Sequence, residues 1–157
     1  MNNQKNIVLC GVGGQGTVLA SKLLAAAAMS KDIPVMSAET IGMAQRGGSV
    51  FSHLRMGDNL YSPMIETGTA DLIIGFEPGE TVRMLPYLKD HGHIVVSTRA
   101  VKPVTATLSG SDYDAPQMLE YLKAAVPNLT LVNADQACAD IGSPKVLNMV
   151  LLGAAIR

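Results

Sequence analysis

The stretch LCGVGGQGTVLASKLLAAAAM, Leu9 to Met29, joins an apolar run to an alanine-rich helical pattern through a turn carrying Gly11, Gly13, Gly14 and Gly16. Gly11, Gly13 and Gly16 have the spacing G-x-G-x-x-G. In a strand–turn–helix unit the first such glycine makes the sharp exit from the strand. The second lets backbone come close to a phosphate, and the third lets the helix pack on the strand. The helix N-terminus then offers free N–H groups and the positive end of its dipole. Thr17 adds a hydroxyl there, and Gln15 puts an amide at the tip of the turn. A dinucleotide site also needs an acidic residue about 20 positions on, at the end of the second strand. Glu39 fits, 23 positions after Gly16. The pattern alone leaves two readings open, dinucleotide binding and a purely structural turn. Glu39 equally suits a cap on the following segment or an ion pair with Arg46.

The rest of the chain supplies the scaffold. Apolar or alternating runs predict strands at Asn6–Cys10, Ile33–Glu39, Gly48–Gly57, Ala70–Pro78, Gly92–Thr98 and Asn128–Ala134. Helical spacing predicts helices over Gly16–Met29, Glu80–Asp90 (kinked or split at Pro86), Ala115–Ala125 with Asp114 as cap, Ala134–Ile141, and Ser143–Ile156 with Pro144 in its first turn. Val101–Leu108 reads as a short extended excursion. This alternation predicts an α/β fold: one Rossmann-like domain over residues 1–157, with a mostly parallel sheet and helices on both faces. One segment departs from the ordinary dinucleotide pattern. Too few residues separate Glu39 from Ser49 for a crossover helix. They carry Gly42, Gly47 and Gly48, with Gln45 and Arg46 at the tip. This is a specialised loop beside the first turn, at the strand ends where α/β folds place their sites.

Composition narrows the function. Charged residues make up only 16% of the 157-residue chain, against about a quarter in ordinary domains. The deficit predicts surface covered by a partner chain. A net charge of −1 and the absence of any basic run argue against nucleic acid or an anionic membrane as partner. No apolar stretch is long enough to span a membrane, and the opening MNNQKNIVLC lacks a signal-peptide core. A cytoplasmic protein is expected. Two cysteines, Cys10 and Cys138, cannot supply the four thiolates of a typical iron–sulfur cluster. His91 and His93 lack a third ligand and read as exposed turn histidines, so no metal site is assigned. His53 reads as a structural histidine on a strand face. Ser49 reads as a strand-start residue, since no histidine base is placed for it. Glu77, Pro78 and Glu80 follow a strand end on the same edge, and no residue is assigned a catalytic role. The nine methionines suggest adaptable packing or a buried interface.

Together GVGGQGTVLASKLLA, SAETIGMAQRGGSVFSHLRMG and ADLIIGFEPGE resemble the gamma subunit or gamma domain of the 2-oxoacid:ferredoxin oxidoreductases. The nearest variant is the beta subunit of the indolepyruvate enzymes, where the gamma-type domain is its own chain. G-x-G-G-Q-G followed by a Q-R-G-G loop is far more specific than G-x-G-x-x-G alone. The likeness covers nearly the whole chain. The family runs some tens of residues further, so the chain is expected to be short at its C-terminus. The resemblance implies oxidative decarboxylation of pyruvate, indolepyruvate or a related 2-oxoacid to an acyl-coenzyme A, with ferredoxin as electron acceptor. It implies that thiamine diphosphate, magnesium and iron–sulfur clusters sit in a larger catalytic subunit, and that this chain alone binds no cofactor and is inactive. Packing on that subunit and sharing in coenzyme A binding are the implied roles. The site expected from it comprises Gly11, Gly13, Gly14, Gln15, Gly16, Thr17, Glu39, Gln45, Arg46, Gly47 and Gly48. Two other readings remain: an independent NAD(P)-binding oxidoreductase and a regulatory nucleotide-binding module.

Overall fold

Strands β1 (Lys5–Val12), β2 (Val35–Ile41), β3 (Ser49–Met56), β4 (Ala70–Gly75), β5 (Leu88–Ser97) and β6 (Leu129–Val132) form one sheet in the order β2–β3–β1–β4–β5–β6. The structure, a computed structural model, describes residues 4–41, 47–102, 104, 107 and 112–156. Helices α1 (Thr17–Met29), α2 (Pro78–Met84), α3 (Ala115–Ala125), α4 (Ala134–Ile141) and α5 (Leu147–Ile156) cover the sheet. β1, β4, β5 and β6 are parallel, and β3 runs antiparallel to both its neighbours. The short β2–β3 connection explains the reversal, because a parallel return needs a crossover of a dozen or more residues.

Period-two alternation divides the core into two layers. Ile7 and Leu9 of β1 face one side, with Leu54, Ile74 and Val95, under α1, α4 and α5. Val8 and Cys10 face the other, with Ile73, Ile94 and Val96, against Met84 of α2 and Leu122 of α3. α1 meets the sheet through small residues, among them Ala20 and Ser21, which lets its axis lie close to β1 and β3.

Three boundaries differ from the sequence pattern. β4 stops at Gly75, and Pro78 opens α2 instead, at a first-turn position where its missing N–H is harmless. The helix expected over Glu80–Asp90 ends at Met84. A 3₁₀ turn over Leu85–Tyr87 follows, and β5 starts at Leu88. Pro86 cannot donate the next helical hydrogen bond and its ring clashes with the turn before it. The C-terminal helical run opens as a 3₁₀ turn, Pro144–Val146, before α5. Of Val101–Leu108, residues 103, 105, 106 and 108 lie outside the described residues, and Val104 and Thr107 are helical where an extended excursion was expected.

β3 also anchors the long connection to β4. His53 is 1% exposed, stacked edge-on to Tyr87 and tilted against Phe51. Its Nδ1 accepts the Ile65 N–H at 2.9 Å, and Nε2 has no partner among the described residues. Burial holds this imidazole below its ordinary pKa, so the folded state keeps it neutral. The unfolded chain takes up the proton first, and the stability from neutral His53 is lost as pH falls below about 6.5. His53→Asn keeps an acceptor near Ile65 but does not titrate. Denaturant unfolding should show wild type losing stability relative to His53→Asn between pH 7.5 and 5.5.

Candidate functional site at the sheet edge

The carboxyl ends of β1, β4, β5 and β6 and the amino end of β3 meet at one edge. β1 leaves the sheet at Val12 and the turn over Gly13–Gly16 leads into α1. The Phe76 N–H donates to the Cys10 carbonyl at 2.8 Å. A Cβ on Gly11 would lie 2.7 Å from the Phe76 Cβ and 2.8 Å from Gln15 Oε1, so no side chain fits there. Gly16 takes the left-handed conformation at the α1 N-cap, with φ 87°. No side chain caps α1, and its first turn holds no acidic residue. The first-turn amides therefore stay open to an anion. Thr17 is 3% exposed, and its Oγ1 has no partner among the described residues.

Gln15 is not a free amide at the tip. Its Oε1 accepts the Val12 N–H at 2.7 Å, and its Nε2 donates to the Phe76 carbonyl at 3.0 Å. The side chain is a strut between the β1 exit and the β4–α2 turn. The two glycine loops do meet. The Gly13 N–H donates to the Gly48 carbonyl at 2.8 Å and the Gly47 N–H to the Gly13 carbonyl at 3.3 Å. The Val104 N–H donates to the Gly47 carbonyl at 3.0 Å. Gly42, Gln45 and Arg46 lie outside the described residues.

Glu39 is set apart from this edge. It pairs with Ser52 of β3, and Ser52 pairs with Leu9 of β1. In the dinucleotide arrangement the acidic residue ends the strand next to the glycine-bearing one. Here β3 occupies that place, and two interstrand steps, about 10 Å, separate β2 from β1.

Two carboxyl groups, Glu77 and Glu80, lie buried beside the paired glycine loops. Glu77 caps α2 by accepting the Glu80 N–H at 2.9 Å, and its Oε1 has no geometrically formed hydrogen bond among the described residues. Burial, above all, pushes the Glu77 carboxyl up to about 7, with the charge of Glu80 adding to the effect. Glu80 accepts from Ser49 Oγ at 2.5 Å and from the Arg83 guanidinium at 3.3 Å. Ser49 is thus committed to a carboxylate.

Cavities flank the glycine turn on both sides. One, of about 410 Å³, is bounded by Val12, Gly13, Gly14, Thr17 and Val50. The other, of about 480 Å³, lies between Gly13–Gly16 and the start of the C-terminal helical run, with Arg99, Lys145 and Asn148 on its wall. Arg99 pairs with Asp135 at 3.5 Å, but both side chains are well exposed and the pair is weak. Lys145 makes no ion pair among the described residues. Arg99, Lys145 and Asn148 were not legible as site residues, because only the fold brings these distant positions to the glycine turn.

The metal candidates are scattered. Cys10 and Cys138 belong to opposite core layers. His91 is exposed with φ 60°, and His93 Nε2 lies 2.9 Å from Thr130 Oγ1. Among the described residues no three His, Cys, Asp or Glu side chains converge on a metal position, and no helix is long and apolar enough to cross a membrane.

Comparison with known proteins gives consistent matches. The sequence model described as pyruvate ferredoxin/flavodoxin oxidoreductase matches residues 6–157. The indolepyruvate oxidoreductase subunit IorB of Methanothermobacter thermautotrophicus is 38% identical over 151 residues, covering 96% of this chain and 76% of that protein. The common subunit gamma of the pyruvate/ketoisovalerate oxidoreductases of Thermococcus kodakarensis is 28% identical, covering 94% of this chain and 74% of that protein. Among solved structures, pyruvate oxidoreductase subunit PORC of Thermotoga maritima superposes with TM-score 0.68 at 21% identity, over 98% of this chain and 75% of that one. A 2-oxoglutarate:ferredoxin oxidoreductase of Magnetococcus marinus, solved with 2-oxoglutarate, coenzyme A and succinyl-CoA, gives TM-score 0.70 at 19% identity, over 96% of this chain and 23% of that one. Both structural likenesses speak to fold.

The buried Glu77 yields a signed pH effect. Its folded pKa of about 7 lies above the ordinary 4.5, so the folded state holds a proton that the unfolded chain releases between these values. Stability from this group is full below pH 4.5 and falls as pH rises to about 7. Glu77→Gln removes the titration, and its stability relative to wild type should rise from pH 4.5 and level off above about pH 7 in urea unfolding.

Proposed function

This chain belongs to the pyruvate ferredoxin/flavodoxin oxidoreductase family, and from that premise we propose that it serves as the gamma-type subunit of a 2-oxoacid:ferredoxin oxidoreductase. Residues 1–157 act as its gamma-type domain. The domain packs on a larger catalytic subunit that carries thiamine diphosphate, magnesium and the iron–sulfur clusters. Cys10 and Cys138 on opposite faces of the sheet support this division, because they cannot ligate one cluster together. The low charge content supports a covered surface. Ferredoxin is the electron acceptor of the assembly.

The uncapped α1 N-terminus, at the end of the first glycine loop and beside a cavity walled by Arg99 and Lys145, carries the finer reading. It suits a phosphate of coenzyme A. The first-turn amides and two cations supply fixed positive charge, and an arginine fork fits a phosphate oxygen pair. The glycine backbone lets the ligand approach without side-chain obstruction. Held there, coenzyme A would have its phosphate end fixed on this subunit while its thiol reaches toward the partner. This chain's contribution is binding and orientation, and the redox chemistry belongs to the partner.

The test is reconstitution with the larger subunit. The isolated chain should not oxidise pyruvate or indolepyruvate, and the complex should. Turnover by this chain alone would refute the subunit reading. In the complex, Arg99→Ala and Lys145→Ala should each raise KM for coenzyme A about tenfold, the value of one charge-assisted hydrogen bond, with KM for the 2-oxoacid unchanged. Dephospho-coenzyme A as a second substrate distinguishes the terminal phosphate from the pyrophosphate. Equal KM values in wild type and both variants would remove coenzyme A from this site.

A further inference from the structure

Glu80 poses an energetic question. It is 2% exposed, and a second buried carboxyl, Glu77, lies one helical turn away. Burying two acids together is unfavourable, and an apolar residue of similar volume is as stable or more stable in such a place. Among the described residues the one cation that meets Glu80 is Arg83, whose side chain is 62% exposed, so the ion pair is screened by water. The helix dipole favours an acid in the first turn of α2 only modestly, so stability gives a weak reason for one here. Its shortest contact gives another. Ser49 Oγ donates to Glu80 at 2.5 Å, and Ser49 follows directly on Gly47 and Gly48.

The contact closes a ring. From Glu80, Ser49 leads along the chain to Gly48, whose carbonyl accepts the Gly13 N–H. Gly13 leads to Gln15, whose amide holds the Phe76 carbonyl. Phe76 leads to Glu77, whose carboxylate accepts the Glu80 N–H. Three loops from distant parts of the sequence are locked to one another, and the open α1 N-terminus follows directly on one of them. Glu80 is the member that joins α2 to β3.

We propose that Glu80, through Ser49, is a positioning residue that holds the Gly47–Gly48 backbone against Gly13 and so fixes the mouth of the glycine-turn site for a phosphate-bearing ligand. This rests on the coenzyme A reading above. Glu80 does not touch the ligand. It sets where the second glycine loop stands relative to the first-turn amides of α1.

The experiment uses the reconstituted complex with coenzyme A as the probe. Glu80→Met replaces the acid by an apolar group of like size, and Ser49→Ala removes the donor. Each should raise KM for coenzyme A about tenfold, with a smaller change in kcat, because one charge-assisted hydrogen bond is lost. The double variant should be no worse than either single one, since both break the same link. Glu80→Gln keeps an acceptor for Ser49 and should recover most of the loss. The melting temperature of Glu80→Met should equal or exceed that of wild type. A lower melting temperature with KM and kcat falling together would make Glu80 merely structural and overturn the proposal. An unchanged KM in Glu80→Met would also overturn it. Arg99→Ala and Lys145→Ala, measured alongside, separate the two claims. If they raise KM and Glu80→Met does not, positioning by Glu80 fails alone. If none of the variants changes KM, the coenzyme A site fails and the proposal with it.

Discussion

The approach of Phe76 to Gly11 sets the geometry of the whole sheet edge. β1 and β4 are parallel neighbours, and the turn after β4 folds back until the Phe76 N–H reaches the Cys10 carbonyl. Only a residue without a side chain leaves room for that contact on β1. Gln15 then fills the remaining space and satisfies both the Val12 N–H and the Phe76 carbonyl. An unmet buried amide or carbonyl there would cost about 1–3 kcal/mol. The glycine turn, the α2 N-terminus and Glu77 all take their positions from this contact. The glycine spacing thus encodes a close crossing of two strand ends first, and an anion-accepting helix end as its result.

Much of the architecture was legible because its signals are local. Ala115–Ala125 and its Asp114 cap follow from apolar spacing and one side-chain acceptor, and the structure has that cap, Asp114 accepting the Gln117 N–H. The six strands followed from apolar runs. Boundaries failed where a proline admits two outcomes. Pro78 starts a helix and Pro86 ends one, and the choice depends on packing partners remote in sequence. The site was legible in part. The pairing of the Gly13–Gly16 and Gly47–Gly48 loops could be anticipated from their places at strand ends. Gln15 as a strut could not, since nothing in the local pattern says that Phe76 will stand beside it. Arg99 and Lys145 carry no motif at all. The acidic residue at Glu39 misled for a topological reason: spacing along the chain cannot reveal that β3 will enter between β2 and β1.

Charge is arranged with the same economy. The positive groups at the edge are exposed and weakly paired, Arg99 with the exposed Asp135, whereas Glu77 and Glu80 are buried beneath the backbone. An incoming anion therefore meets amide dipoles and flexible cations on the surface, with the buried carboxyls screened by that backbone. A pKa pushed up to about 7 leaves Glu77 only partly ionised near neutral pH, which reduces the buried negative charge further.

β3 is paired on both sides, with Ser52 opposite Leu9 in one direction and Glu39 in the other. Sliding it by a single residue would turn Val50, Ser52 and Leu54 away from α1 and bring Phe51 and His53 under that helix. The mixed sheet is thereby a ruler for the segment that precedes it. An insertion or deletion within Ser49–Met56 would turn the rest of a central strand over, face for face.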